Sequence, residues 1–249
     1  VSTLDDVGHE HGPDSPQVDS ALVAVDRVLG RLRAALAASP VADRVHLVVA
    51  SDHGMRAVTR RQTVDLARCD APLAGVLSAD PGPTVALWFD RLPAGERAAR
   101  REAVHAALAR CLRAAGGHAT VWRREETPEA WGIRGQPRAG DLLVAGEPGW
   151  QVRIGAARPD STDPDGTRVS GAHGWDPAVD PQMHAVFLAA GPQLVAGATL
   201  PPVENVDVAP FVARLLGIPA PRGADGDGRT LAAALRPAPP DLLLVLEKD

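Results

Sequence analysis

Several things are scarce in this sequence. It has only two cysteines, Cys69 and Cys111. They could pair, but no CxxC spacing marks them as a metal or redox site, and ordinary buried thiols are the stronger reading. Basic residues are not in excess: 26 Lys and Arg stand against 31 Asp and Glu, for a net charge of −5 and a pI near 5.9. That balance gives no electrostatic reason to expect nucleic-acid binding. An acidic chain acting on phosphate needs metal ions or a local basic pocket to attract its substrate. No apolar run approaches the ~20 residues that span a bilayer. No secretory signal opens the chain, which starts at Val1 as if in mid-fold. No internal repeat stands out.

What is present is an ordinary globular composition with an unusual set of histidines. The 249 residues are 45% hydrophobic, enough for one large domain or two small ones. The apolar run Val45 to Ala50 fits a strand covered on both faces, with His46 in it reading as a satisfied structural histidine. It ends in Ser51-Asp52-His53-Gly54-Met55. Asp and His side by side at the carboxyl end of a strand can turn toward one cation, as a mixed oxygen and nitrogen ligand pair. Gly54 lets the backbone turn sharply beside them.

A second cluster opens the chain, Leu4-Asp5-Asp6-Val7-Gly8-His9-Glu10-His11-Gly12-Pro13. Asp5 and His9 are four apart, so one turn of chain brings them to one face. Gly8 and Gly12-Pro13 read as a tight, irregular path; a polar loop with exposed histidines is the bland alternative. A third cluster, Ser170-Gly171-Ala172-His173-Gly174-Trp175-Asp176, places a histidine between glycines, as suits a ligand delivered from a loop.

Between them the periodicities predict alternating strands and helices, hence α/β architecture with a largely parallel sheet. An amphipathic helix starts at Asp14 or Ser15 with Pro16 and carries Val18, Leu22, Val25, Leu29, Leu32 and Leu36, read as core, to Ser39-Pro40. Thr84 to Phe89 and Ala119 to Trp122 read as strands around a helix from Ala94 to Ala115. Asp141 to Ala145 and Trp150 to Ile154 read as strands joined by a turn at Glu147-Pro148-Gly149. Residues 84–155 form either an inserted subdomain shaping a substrate pocket or an extension of the main sheet. Arg123-Arg124-Glu125-Glu126 reads as a solvated face, and Pro159 to Gly166 as a polar loop. Met183 to Ala190 reads as a strand, with His184 structural or a partner to a metal ligand. A helix follows from Val206 to Leu216, with Asp207 complementing its N-terminus and Gly217 stopping it. The chain from Arg222 reads as loose, and residues 236–249, including the apolar Asp241 to Leu246, have no assigned role. Of Trp88, Trp122, Trp131, Trp150 and Trp175, candidates for stacking on a substrate, Trp175 beside His173 is the one of interest.

Taken in order, Asp5-x-x-Gly8-His9-x-x-Gly12-Pro13, Ser51-Asp52-His53-Gly54-Met55 and Gly171-x-His173-Gly174 resemble the nucleotide pyrophosphatase/phosphodiesterase family of the alkaline phosphatase superfamily. Arg138 to Trp150, Met183-His184-Ala185 through Gly191-Pro192, and Asn205-Val206-Asp207-Val208 through Leu216-Gly217 are similar as well. The resemblance runs from about Leu4 to Asp227. It implies an alkaline-phosphatase-like core over residues 1–235 and a two-zinc site. Asp5, His9 and His173 would hold one zinc, and Asp52 and His53 would contribute to the other. Manganese or iron could share such ligands. It also implies a small phosphodiester or nucleotide substrate and a threonine nucleophile that is transiently phosphorylated, and it leaves the location open, with the periplasm or secretion compatible with it.

The family pattern places that threonine, and another Asp ligand, ahead of the first cluster. Ser2 and Thr3 stand in the wrong place, and the strand leading into Asp5 is expected to be shortened to Val1 to Leu4. The expectation is therefore the C-terminal portion of the domain, with no nucleophile of its own. Two alternatives accompany the phosphodiesterase reading. One is a phosphonate or phosphomonoester hydrolase of the same superfamily. The other is an inactive metal-binding module, or a half that depends on its missing N-terminal partner.

Overall fold

In the computed structural model, which describes residues 2–79, 82–155 and 161–236, the first cluster is helical. Helix α1 (Ser2–His11) runs straight through Gly8, so residues 2–4 form a helical turn where a short strand was expected. The breaker is Gly12. Its φ of 82° is left-handed, and its N–H closes on the Gly8 carbonyl at 2.9 Å, a helix stop that glycine adopts without steric cost. Helix α2 (Pro16–Ala37) starts as its sequence predicts: the Ser15 hydroxyl accepts the Val18 N–H at 3.3 Å, ahead of a proline at the first helical position. Its apolar stripe, however, is not core. No α2 residue is buried, and Leu22 and Leu32 are 53% and 42% exposed. Periodicity fixes which face is apolar and carries no information on what covers it.

The remaining elements among the described residues are β1 (Leu47–Ala50), β2 (Arg56–Val58), β3 (Thr63–Asp65), β4 (Leu77–Ala79), β5 (Thr84–Trp88), α3 (Ala94–Ala114), β6 (Ala119–Arg123), β7 (Leu142–Gly146), β8 (Gln151–Arg153), β9 (Ser170–Ala172), β10 (Phe187–Ala190), α4 (Val208–Leu215) and α5 (Arg229–Ala232). No described helix is long and apolar enough to cross a membrane. The chain divides into two units. One holds the described residues up to Arg27 with His53–His184; the other holds Val28–Asp52 with the described residues from Ala185 onward.

The α/β class stands, but strand pairing is mixed rather than mostly parallel. Only β3 and β8 pair parallel among the described strands. In the first unit β4, β5, β7 and β6 form an antiparallel sheet in that order, and β2 pairs antiparallel with β9. Helix α3 covers the four-stranded sheet with Val104, Ala107, Leu108 and Leu112, spaced three and four apart. Val104, Leu108 and Leu112 meet Val85, Leu87, Val121, Leu142 and Val144 in one core. Among the described strands, β4, β5, β6 and β7 pair only with one another. The turn after Glu147 is present, with Trp150 N–H on the Glu147 carbonyl at 2.8 Å, yet β7 and β8 lie in different sheets. An apolar run reports burial; it does not report direction or partner. On the surface, Arg123 bridges Glu102 and Glu126 and holds the Glu102 carboxyl below its ordinary range.

The cysteines are not free thiols. Cys69 and Cys111, 42 residues apart, form a disulfide with their Cα atoms 5.6 Å from each other. It ties the turn after β3 to the last part of α3, beside Leu66 and Leu112 in the core. Sequence spacing could not show this, because the proximity is created by α3 packing on the sheet.

In the second unit β1 and β10 pair antiparallel, Leu47 opposite Ala190 and Ala50 opposite Phe187. Val48, Phe187 and Ala189 pack on the cluster Leu194, Phe211, Leu215 and Leu231, whereas Leu188 on the other face is 61% exposed. His46 precedes β1 rather than lying in it. It is not satisfied: its Nε2 is buried with no hydrogen-bond partner among the described residues. Nor is the chain from Arg222 loose as far as Arg236. Leu231 is fully buried, and Asp207, which stands at the N-terminus of α4 as expected, accepts the N–H groups of Asp227 and Gly228 on its carboxylate at 3.0 Å each. The apolar burial of Leu231 outweighs the Gly and Asp content that reads as loop. Residues 159–160 and 237–249 lie outside the described residues.

Candidate metal site

Helix α1 presents Asp5 and His9 on one face, one turn apart, and the chain just past β9 brings His173 to them. Asp5 Oδ1 stands 3.5 Å from His9 Nε2 and 3.7 Å from His173 Nε2. One donor atom from each of the three residues falls within 4.8 Å of the others, and this is the one such group of three among the described residues. The His9 ring is oriented by its other nitrogen. His9 Nδ1 lies 2.8 Å from the Gly171 carbonyl, which can only accept, so Nδ1 carries a proton and Nε2 is the nitrogen turned toward Asp5.

The donor set fits a cation. Asp5 Oδ1 is buried and has no hydrogen-bond partner among the described residues, an arrangement that costs free energy unless something positive meets it. Neighbouring ligand atoms around a tetrahedral zinc at ~2.0–2.1 Å are roughly 3.3–3.5 Å apart, close to the separations seen. Two imidazoles and one carboxylate are also a common zinc triad.

The other two sequence-predicted ligands are placed differently. His53 stacks on His173, with ring centroids 3.5 Å apart and planes 14° from parallel. His53 Nδ1 lies 2.8 Å from the Gly54 carbonyl, so by the same reasoning Nδ1 carries a proton. A Cβ at Gly54 would run into the carbonyls of Gln182 and His184, so this position admits only glycine. Asp52 is exposed, and its backbone carbonyl accepts Asn205 Nδ2 at 2.7 Å. Asp52 ends a segment of the second unit and His53 begins one of the first.

Trp175 is only 6% exposed, packed with Val58, Ala172 and Met183, and its indole N–H donates to the Trp150 carbonyl at 3.2 Å. His184 is exposed and donates from Nε2 to the Pro177 carbonyl at 3.1 Å. The other indoles are also engaged. Trp150 stacks on His118, Trp131 donates to Asp176 at 2.9 Å, and Trp88 donates to the Pro137 carbonyl.

Sequence reasoning missed a supporting pair. Arg56, next after the Ser51–Met55 motif, donates from its guanidinium to Asp180 Oδ1 at 3.0 Å, and Asp180 is 1% exposed. Arg56 sits on β2 opposite Ala172, one residue before His173. The pair therefore braces the strands from which His53 and His173 depart. A sequence separation of 124 between its members hides it from any local pattern. Among the described residues, Arg56→Ala leaves the buried carboxylate only the Gln182 N–H. It is expected to cost roughly 2–3 kcal/mol, read by denaturant unfolding; a loss within ~0.5 kcal/mol would show the pair to be incidental.

Residues 1–176 match the family described as type I phosphodiesterase/nucleotide pyrophosphatase. The chain belongs to that family. Among curated members of the phosphodiesterase family, human ectonucleotide pyrophosphatase/phosphodiesterase family member 7 is 32% identical over 247 residues, covering 95% of this chain and 49% of its own. A bis(5'-adenosyl)-triphosphatase of Xenopus laevis is 27% identical, covering 85% of this chain and 42% of its own. Among solved structures, murine ectonucleotide pyrophosphatase/phosphodiesterase 5, in an inactive form in complex with AMP, superposes with a TM-score of 0.74 at 26% identity. It covers 93% of this chain and 56% of its own. The fold is thus alkaline-phosphatase-like, and the chain spans about half the length of the curated relatives it matches.

Proposed function

We propose that the protein containing these residues hydrolyses phosphodiester or pyrophosphate bonds of small nucleotide substrates in a metal-dependent reaction. One zinc is held by Asp5, His9 and His173, and a second receives Asp52 and His53. The observation that carries the reading is the convergence of Asp5 Oδ1 with the Nε2 atoms of His9 and His173, around a buried carboxylate oxygen with no hydrogen bond among the described residues. Family membership and a relative with AMP in its name support the substrate class.

When bound, the metal pair supplies Lewis acidity for the attacking oxygen and charge stabilisation for the transferring phosphoryl group. The chain's own residues do the positioning. The Gly171 and Gly54 carbonyls hold the protons of His9 and His53 on Nδ1, so that neither ring has to change tautomer to ligate. The His53–His173 stack fixes both ring planes together. The attacking hydroxyl is assigned, by family resemblance, to a threonine in the family's N-terminal segment; its oxygen bonds to phosphorus as the alcohol or phosphate leaves, and water then attacks that phosphorus, breaking its bond to the threonine oxygen, releasing the phosphate product and restoring the hydroxyl.

Treating the whole protein with a chelator is expected to lower hydrolysis of a chromogenic phosphodiester by on the order of 10²–10³-fold, the scale of losing one preorganised electrostatic stabiliser. Added zinc should restore it. Activity indifferent to chelation would overturn the metal-dependent reading; faster turnover of the matching phosphomonoester would overturn the substrate class.

A further inference from the structure

The metal ligands arrive on three separate segments: Asp5 and His9 on α1, His53 before β2, and His173 after β9. Those segments meet at one point. A Cβ built on Gly8 would lie 2.5 Å from Met55 Sδ and 3.2 Å from Met55 Cε. A Cβ built on Gly171 would run into the Gly8 carbonyl oxygen and into the same Met55 sulfur. Both glycines are buried. Helix α1 therefore lies with its backbone at Gly8 directly on Gly171 of β9, and the Met55 thioether fills the notch that the two missing side chains leave.

We propose that Gly8, Gly171 and Met55 form a packing key that sets the position of α1, and with it Asp5 and His9, relative to His173. They are positioning residues, and the proposal rests on the metal-site reading above. Three features support it. Gly8 is helical with no need for a left-handed backbone, so conformational freedom does not explain a residue that lowers helix propensity. Met55 stands two residues after His53, Gly171 two before His173, and Gly8 between Asp5 and His9, so a shift at the key moves every ligand segment. Gly171 also offers its carbonyl to His9 Nδ1 at 2.8 Å, and that bond survives only if α1 stays within this close approach. Methionine suits the notch because its unbranched, polarisable side chain adapts to irregular gaps.

The two clashes differ in kind, and this gives the test. At Gly8 the obstacle is the movable end of the Met55 side chain; at Gly171 it includes the Gly8 backbone. Zinc affinity of the whole protein, by competition with a chromophoric chelator, should fall about 10–100-fold in Gly171→Ala, the range for losing a group that orients a ligand. It should fall less in Gly8→Ala. Adding Met55→Ala should restore affinity in the Gly8→Ala background and not in the Gly171→Ala background. Amide exchange of residues 5–11, measured without metal, should rise and recover in the same order. Wild-type affinity in Gly171→Ala, or equal rescue of both backgrounds, would overturn the proposal. If the wild type takes up no zinc, the metal-site reading falls. The exchange pattern then decides the key alone: selective rescue sustains it, and unchanged exchange in Gly171→Ala removes it.

Discussion

Replacing His173 with alanine is expected to empty the site. The substitution removes one of three converging donors and also the ring against which His53 stacks at 3.5 Å, so both proposed metal positions lose support. Loss of groups that merely orient a ligand costs about 10–100-fold in affinity, and loss of the ligand itself should exceed the upper figure. The effect is readable without turnover. Zinc at a hundred times its dissociation constant stabilises the folded state by about 2.7 kcal/mol, which for a chain of this size raises Tm by roughly 5–11 °C. His173→Ala should abolish that rise while leaving the Tm of the metal-free protein within a few degrees of the wild type, since the ring is half-buried and belongs to no core cluster. An undiminished zinc-dependent rise in the variant would show that His173 is not a ligand.

Breaking the Cys69–Cys111 disulfide is expected to be the largest purely structural loss. Closing a loop across 42 residues removes chain entropy from the unfolded state worth roughly 4 kcal/mol on the loop-entropy account. That corresponds to a Tm lower by roughly 8–16 °C in the Cys69→Ser/Cys111→Ser protein. Since the bond lies in the core formed by α3 and the four-stranded sheet, the deficit should appear first as faster exchange of α3 amides. A double variant melting within a degree or two of the wild type would mean that this region's packing needs no covalent tie.

The sequence was most informative where chemistry is local. The Ser15 cap, the 3.6-residue pattern of α3 and the Gly-flanked His173 each announce themselves within a few residues, and the Asp5–His9 spacing already contained the helical turn that brings them together. Glycines at positions 8 and 12 obscured that helix, because a glycine that breaks a helix and one that allows a close approach look the same in sequence. The apolar runs at β1 and β10 identified strands and left their antiparallel pairing open. What the sequence withheld was produced by tertiary contact: the disulfide, the Arg56–Asp180 brace, and the exposure of the α2 stripe. The same held for the stretch after Arg222, where composition suggested loop and a single Leu231, buried beside Phe211, decided otherwise.

The disulfide has a consequence for where this protein can be made. Glutathione and thioredoxin keep thiols reduced in the cytosol of most mesophiles, whereas secretory and periplasmic spaces oxidise them. Material produced in a reducing cytosol would carry two thiols, Cys69 almost fully buried, and would mature only if it breathed enough to admit an oxidant. Expression with export, or in a host with an oxidising cytosol, is therefore the route to protein in which the core beneath α3 is covalently closed.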